Sequence, residues 1–108
     1  DRGESHTFLF KYPIVETNHV VSKTGQKRAF HYHKDMTEYL YVTKGEMELN
    51  YLDEDGNHQS IIIHKFEMFE IDPYVYHWTI FNQDTEYLNF LTTIFDQHNP
   101  DSHKLALL

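Results

Sequence analysis

The sequence predicts an all-β fold, a small sandwich or barrel. Strand signals of about five to nine residues follow one another with short turns between them, and no sustained 3.6-residue period indicates a helix. The chain contains 8 Phe, 8 Tyr and 1 Trp but only 4 Gly and 3 Pro, and aromatic residues favour strands. A βαβ fold would need intervening helices, so these observations favour strands alone.

The first three predicted strands occupy the N-terminal third of the chain. Residues 6–12 are aromatic and β-branched, and they end before Pro13, which lacks the N–H group that a ladder needs. Residues 15–22 continue in an extended conformation to a turn at Gly25. Residues 29–33 then alternate between the two faces of a strand.

Two hairpins are predicted in the middle of the chain. Residues 38–43 and 46–52 alternate in hydrophobicity and join at Gly45. An Asp-Gly turn at 55–56 leads into residues 59–63, because glycine adopts the positive φ that a tight hairpin requires. This turn is the strongest in the chain.

Three further strands complete the predicted set. They cover residues 68–71, 77–81 and 87–95, with turns at 72–73 and 82–85 between them. Short strands in this number and at this spacing favour a closed or sandwiched all-β architecture.

The length supports a single domain. A chain of 108 residues buries one modest core and leaves no room for a second. We expect one domain over residues 1–108, with a barrel core over 6–95 and a polar tail over 96–108. The tail is expected to pack on the barrel or on a partner chain and to carry no chemistry.

The charge balance argues against two classes of partner. The chain has 9 Lys and Arg against 17 Asp and Glu, a formal net charge of −8, whereas nucleic acids and anionic membranes attract cationic side chains. No apolar run approaches the roughly 20 residues that cross a bilayer, and the N-terminus shows no signal-peptide pattern. We therefore expect a soluble, cytoplasmic protein that binds neither nucleic acid nor membrane.

Histidine is the unusual residue type, with 9 His and no Cys. Without thiolates, a metal would have to be held by imidazoles and carboxylates. His31 and His33 are two residues apart on a predicted strand and share one face, roughly 6.6 Å apart along it. Glu38 opens the next strand, and His77 at the head of another strand is the natural fourth ligand. Such a nitrogen and oxygen site suits one divalent transition metal, Fe, Mn, Ni, Zn or Cu.

The spacing of these ligands carries a family resemblance. The pattern Gly25-x5-His31-x-His33-x4-Glu38-x6-Gly45 resembles the first motif of the cupin superfamily at every defined position. Together with the surrounding strands, the resemblance covers roughly residues 20–95.

A second cupin motif is present in altered form. Residues 65–82 resemble the segment in which a Pro-x-Gly turn precedes one metal-binding histidine, His77, and a later asparagine. Here the turn reads Asp72-Pro73-Tyr74, Phe66-Glu67 replaces the usual Gly-Asp, and Asn82 is one residue further from His77. The resemblance implies a single-domain jelly-roll β-barrel with a metal inside its mouth, and a homodimer.

The remaining histidines are assigned to ordinary surface or core positions, since an isolated histidine is seldom a ligand. They are His6, His19, His58, His64, His98 and His103. For the four candidate ligands, the alternative is a hydrogen-bonded polar cluster in a metal-free binding barrel. Burying four polar groups together is costly unless a cation compensates them, which favours the metal.

Strand alternation predicts a mainly apolar cavity beside the ion. The residues in phase with the ligands or the core, which give this cavity apolar and aromatic walls, are Leu40, Val42, Met47, Leu49, Thr79, Phe81, Leu88, Phe90 and Thr92. A divalent ion and Glu38 would leave a local charge near +1, so a small anionic or hydroxylated molecule is an acceptable ligand.

The leading functional hypothesis is a metal-dependent enzyme acting on a small oxygenated substrate, a sugar or a keto acid. The metal would act as a Lewis acid in isomerase, epimerase or lyase chemistry, with Tyr51 and Tyr76 as candidate proton carriers. Residues from position 95 to 102 resemble the strand end of cupins from surface-polysaccharide biosynthesis, which favours a carbohydrate.

Two alternatives stay open from the sequence. One is an Fe- or Cu-dependent dioxygenase, which a glutamate ligand permits. The other is a non-catalytic module that holds a sugar or metabolite, and the altered turn of the second motif favours it. Metal content would discriminate between these hypotheses.

Overall fold

Eight β-strands build the fold in a computed structural model that describes residues 3–94, 96, 98 and 100–105. They are β1 (Glu16–Ser22), β2 (Lys27–His31), β3 (Glu38–Lys44), β4 (Met47–Leu52), β5 (His58–Ile63), β6 (Met68–Ile71), β7 (His77–Ile80) and β8 (Thr85–Leu91). The predicted all-β class is confirmed.

The strands form two antiparallel sheets of four. The first sheet has the order β1-β8-β3-β6 and the second the order β2-β7-β4-β5. Among the described residues no ladder joins the two sheets, so the predicted closure into a barrel is not observed. Six of the seven connections between successive strands cross from one sheet to the other, and only β4 and β5 follow each other within a sheet. The predicted hairpin of residues 38–43 with 46–52 is therefore wrong, because β3 and β4 lie in different sheets, whereas the hairpin at the Asp-Gly turn is formed by β4 and β5.

The predicted first strand, residues 6–12, is wrong, because no strand is formed before Glu16 among the described residues. This N-terminal segment lies across the outer face of the first sheet instead. The ring centroid of Phe8 is 4.7 Å from that of Tyr41, and the centroid of Phe10 is 4.9 Å from that of Phe90. The aromatic residues that favoured a strand therefore cover a sheet face.

Two other strands differ from the prediction by more than one residue. The strand predicted at 29–33 begins at Lys27 and ends at His31, with positive φ at Ala29 and Phe30 and a register shift beside them. The strand predicted at 87–95 runs from Thr85 to Leu91. Phe95, its predicted end, lies outside the described residues.

Opposite faces of β3 pack into two separate clusters. Leu40 and Val42 point between the sheets and join Met47, Leu49 and Phe81 in the main core. The intervening side chains, Tyr39 and Tyr41, join Phe90 under the N-terminal segment. Alternation along a strand produces this division, and it fixes which side chains of β3 face the interior.

No helix in the described part of the chain has the length and apolarity that a membrane span requires.

Candidate metal centre

Four predicted ligands meet at one end of the space between the sheets. His31 ends β2, Glu38 begins β3, His77 begins β7, and His33 lies in the connection between β2 and β3. One nitrogen or oxygen atom from each of the four lies within 4.8 Å of the others. Both sheets therefore supply donors to a single point.

The carboxylate of Glu38 lies among the imidazoles. Its Oε1 is 3.1 Å from Nε2 of His33 and 3.5 Å from Nε2 of His77. Its Oε2 accepts a hydrogen bond from the side-chain amide of Asn89. The His31 ring centroid is 4.5 Å from that of His33 and 4.8 Å from that of His77. Asn89 thus holds one oxygen of Glu38 and leaves the other facing the histidines.

Each imidazole has its Nδ1 next to an oxygen. The carbonyl of Asp101 accepts from His33 Nδ1, and the carbonyl of Val75 lies 2.9 Å from His77 Nδ1. The hydroxyl of Ser102 lies 2.8 Å from His31 Nδ1. A carbonyl only accepts, so His33 and His77 in their neutral forms carry the proton on Nδ1, and Nε2, which faces Glu38 here, is the nitrogen that an ion would bind.

Burial and neighbouring charges shift the pKa values of these groups in different directions. Burial, followed by repulsion from His77 and His33, lowers the pKa of His31 to about 4. Burial alone would also lower the pKa of His33, but its hydrogen bonds to Glu38 and to the carbonyl of Asp101 raise it. Burial would raise the pKa of Glu38, yet hydrogen bonds from His33 and His77 lower it to about 2. Glu38 is therefore ionised and His31 neutral near pH 7.

A cavity of about 560 Å³ opens beside the four ligands. Its wall includes side chains from both sheets and from the C-terminal segment: Glu16, Asn18, His19, Arg28, Leu40, Thr79, Tyr87, Asn89, Leu91, Asp101 and Ser102. The predicted places of Leu88 and Phe90 in this wall are wrong, because both pack on the outer face under the N-terminal segment. Their neighbours Tyr87, Asn89 and Leu91 face the cavity, since adjacent strand residues point to opposite faces.

The formal charges of the wall match a divalent cation. Among the described lining residues, Arg28 is the one Lys or Arg, against Glu16, Glu38 and Asp101. A divalent ion would bring this set to neutrality. The predicted local charge near +1 was obtained from the ion and Glu38 alone. With the other charged residues of the wall included, the expected local charge is near zero.

The predicted proton carriers lie away from the described cavity wall. Tyr51 pairs with His77 across β4 and β7, and its ring packs 5.8 Å from that of Phe69. The ring of Tyr76 lies 5.8 Å from that of Trp78. Neither is among the described lining residues, whereas the phenol of Tyr87 is. The catalytic roles of Tyr51 and Tyr76 stay predictions.

Sequence reasoning missed three residues that contact the ligands. Asn89 binds Glu38, while Asp101 and Ser102 bind His33 and His31 from the tail that was expected to carry no chemistry. These contacts join residues 51 to 71 positions apart, and no local spacing reveals such pairs.

Most of the other histidines have ordinary partners. His64 pairs with Glu46 at 2.9 Å, and His58 lies 2.8 Å from Oδ1 of Asn50. His6 pairs with Tyr41 on the outer face. His19 differs from the expectation because it lines the cavity, although its Nε2 also lies 3.3 Å from Glu86.

The fold and the first motif define a cupin. The sequence profile of the cupin domain matches residues 18–94, and the chain belongs to this family. Comparison with curated protein sequences gives no match.

Solved structures with the same fold are distant in sequence. The capsular polysaccharide assembling protein CapF from Staphylococcus aureus is 18% identical with a TM-score of 0.76, over 93% of this chain and 31% of its own. A 3,4-ketoisomerase from Helicobacter canadensis is 17% identical with a TM-score of 0.76, over 86% and 70%. The dTDP-4-dehydrorhamnose 3,5-epimerase from Sulfolobus tokodaii is 20% identical with a TM-score of 0.69, over 80% and 55%. This chain thus spans about a third of CapF, and at these identities the likeness shows the fold.

Proposed function

We propose that this cupin domain is a metal-dependent enzyme that isomerises, epimerises or cleaves a small oxygenated substrate, a sugar or a keto acid. The observation that carries the proposal is the cluster of His31, His33, Glu38 and His77 beside a cavity of about 560 Å³. That volume is within the range of small-molecule sites. In this proposal the two sheets act as a jelly roll that holds the site in its mouth.

The donor set fits a divalent transition metal. Three imidazoles and one carboxylate are the ligands that Fe, Mn, Ni, Zn and Cu share. The carbonyls beside Nδ1 of His33 and His77 leave Nε2 as the nitrogen that an ion would bind, and the wall has the negative charge that a divalent ion neutralises. When bound, the ion would supply Lewis acidity that polarises a substrate carbonyl.

The protein groups of the cavity would bind and orient the substrate. Thr79 lines the cavity with His77, and its buried hydroxyl has no hydrogen-bond partner in the part of the chain that the structure describes, so a substrate oxygen could satisfy it. Burial raises the pKa of Tyr87 to about 12, which keeps this phenol protonated as a hydrogen-bond donor. Tyr51 and Tyr76 remain our proposed proton carriers, and Tyr51→Phe and Tyr76→Phe test them by turnover.

A carbohydrate is the substrate that the cavity favours. Its wall presents amides and hydroxyls, from Asn18, Asn89, Thr79, Tyr87 and Ser102, which pair with sugar hydroxyls. A ketoisomerase from Thermoanaerobacterium thermosaccharolyticum with this fold is known in complex with TDP-4-keto-6-deoxyglucose, at 15% identity. That relative supports a sugar here by analogy of fold.

Metal analysis of the purified protein tests the proposal. We expect about one transition-metal ion per chain in the wild type, and loss of metal and turnover in His77→Ala. His64→Ala is the matched control, because His64 pairs with Glu46 and is not in the cluster. A wild-type protein that binds no transition metal would contradict the proposal, and stoichiometric sugar binding by that protein would favour the non-catalytic module. Native Fe or Cu would favour the dioxygenase.

We also propose that the chain forms a homodimer. The outer face of the second sheet exposes Phe30, stacked 5.9 Å from Trp78, together with Ile62. Sedimentation equilibrium should give twice the mass of one chain, and Ile62→Lys should reduce it to one. A wild type that sediments as a single chain would contradict the proposal.

A further inference from the structure

The C-terminal segment, residues 100–105, is bound to the loop that separates two candidate ligands. The carboxylate of Asp101 accepts hydrogen bonds from the backbone N–H groups of Lys34, Asp35 and Met36 at 2.7, 2.8 and 2.9 Å. Its Oδ1 also lies 3.0 Å from Nε2 of His103. One side chain therefore binds three of the four residues between His33 and Glu38.

The same segment extends β2 beyond its last residue. The backbones of Tyr32 and His103 exchange two hydrogen bonds of 2.9 Å as an antiparallel bridge. This bridge keeps Tyr32 extended between His31 and His33. Because residues two apart on an extended chain share a face, the bridge keeps both imidazoles on one side.

The segment also contacts the rings themselves. The Asp101 carbonyl accepts from His33 Nδ1, and the Ser102 hydroxyl is 2.8 Å from His31 Nδ1. The third ring is held without the segment, since Val75, two residues earlier in the chain, supplies the oxygen for His77. His77, which these contacts do not include, can therefore serve as an internal control when the segment is altered.

We infer that residues 100–105 form a clasp that completes the metal site, with Asp101 and Ser102 as positioning residues for His33 and His31. This inference rests on the metal site proposed above. The Asp101 carboxylate anchors the clasp, and its carbonyl then fixes the Nδ1–H tautomer of His33 and directs Nε2 toward the ion. Partners of this kind typically change metal affinity about 10- to 100-fold.

Metal titration of matched variants tests the clasp. Asp101→Ala removes the anchor and is expected to weaken Zn²⁺ or Co²⁺ binding about 10- to 100-fold by calorimetry. Ser102→Ala removes one hydroxyl and should alter the absorption spectrum of bound Co²⁺. Asp96→Ala is the control, because the Asp96 carboxylate accepts only a local hydrogen bond from the His98 backbone among the contacts described. Equal affinities and spectra in all four proteins would overturn the inference.

Imidazole ¹⁵N NMR of the metal-free protein separates this inference from the proposed function. At a pH where the ring is neutral, His33 of the wild type should be the Nδ1–H tautomer, and in Asp101→Ala it should become a mixture while His77 is unchanged. If the wild type bound no metal, the proposed function would fail, and this tautomer shift would still support the clasp. An identical tautomer in both proteins would overturn it. If Asp101→Ala did not fold, Ser102→Ala would provide the same comparison at His31.

Discussion

Two buried threonines differ in what their hydroxyl groups contact. The hydroxyl of Thr85 lies 2.8 Å from the carbonyl of Glu46 and 2.9 Å from that of Gln83, whereas that of Thr79 has no partner among the described residues. Thr85→Val should lower the free energy of unfolding by about 1–3 kcal/mol, because it leaves a carbonyl without its donor. Thr79→Val should leave it unchanged or raise it. Urea denaturation measures both, and equal losses would contradict the assignment of Thr79 to substrate.

The two glycines of the first motif are predicted to differ in their tolerance of a side chain. Both have positive φ, +89° at Gly25 and +77° at Gly45, so alanine at either costs roughly 1–2 kcal/mol. A Cβ at Gly45 would also lie 2.5 Å from the carbonyl oxygen of Asp84, while one at Gly25 would have no atom of the described residues within 4 Å. Gly45→Ala should therefore have a clearly lower denaturation midpoint than Gly25→Ala. Similar midpoints would show that the β3–β4 turn shifts enough to accommodate the added methyl group.

The spacing of the candidate ligands could be recognised in the sequence. The explanation of why His31 and His33 lie on one side of the chain was incomplete. The prediction assumed a strand over 29–33, but β2 ends at His31 and the backbone bends at Ala29 and Phe30. His33 still joins His31 because Tyr32 pairs with His103. The motif thus predicts which side chains meet, while the contact that aligns two of them comes from a distant segment.

At the scale of elements, the N-terminal segment shows what alternation does and does not determine. A period of two predicts an extended chain with one apolar side, and residues 8 and 10 have that side. Alternation does not state whether the backbone pairs with an edge strand or lies across a sheet face. The aromatic content of this segment therefore predicted an extended chain in contact with the fold, but the predicted strand pairing was the wrong kind of contact.

The N-terminal segment should contribute to stability through one side only. Phe10→Ala removes a ring that packs 4.9 Å from both Tyr39 and Phe90 and should lower the free energy of unfolding by about 1–3 kcal/mol. Leu9 is 90% exposed, so Leu9→Ala should change it by less than about 0.5 kcal/mol. Thermal or urea unfolding measures the difference. A loss at Leu9 as large as that at Phe10 would mean that Leu9 is covered in solution.

The clasp should have a characteristic dependence on pH. Burial would raise the pKa of Asp101, but the N–H groups of Lys34, Asp35 and Met36 together with His103 lower it to about 2 from 3.8. A lowered carboxyl pKa stabilises the fold above the unfolded value and loses this effect as pH falls through the folded value. The stability difference between wild type and Asp101→Asn should be constant above about pH 5 and vanish between 3.8 and about 2. A difference that persisted below pH 2 would assign the effect to packing.

For the whole molecule, composition and spacing predicted the class of fold but not the order in which its strands pair. Eight of the nine predicted strands overlap a strand of the structure, because short alternating runs between turns are local signals. The order of strands within the sheets is not local, since β1 pairs with β8 from the far end of the sequence. The net charge of −8 likewise did not predict the charges of the cavity wall, where Arg28 and three carboxylates line the space around the proposed ion.

Metal binding should stabilise the entire domain because the ligands come from both sheets. His31 and His77 belong to the second sheet, whereas Glu38 begins β3 in the first. An ion bound by all of them would link two sheets that share no ladder in the described residues. At a free metal concentration 100 times Kd, the wild type should gain about 2.7 kcal/mol in the free energy of unfolding. In Glu38→Gln, which removes the one charged ligand from the first sheet, the gain at the same concentration should largely disappear.

Glu70→Gln is the matched control, since Glu70 lies on β6 of that sheet and its carboxylate contacts the Tyr39 hydroxyl at 3.3 Å. Urea denaturation with and without metal measures the gain, and an equal gain in Glu38→Gln and the wild type would show that the ion is held by the histidines alone and does not connect the sheets.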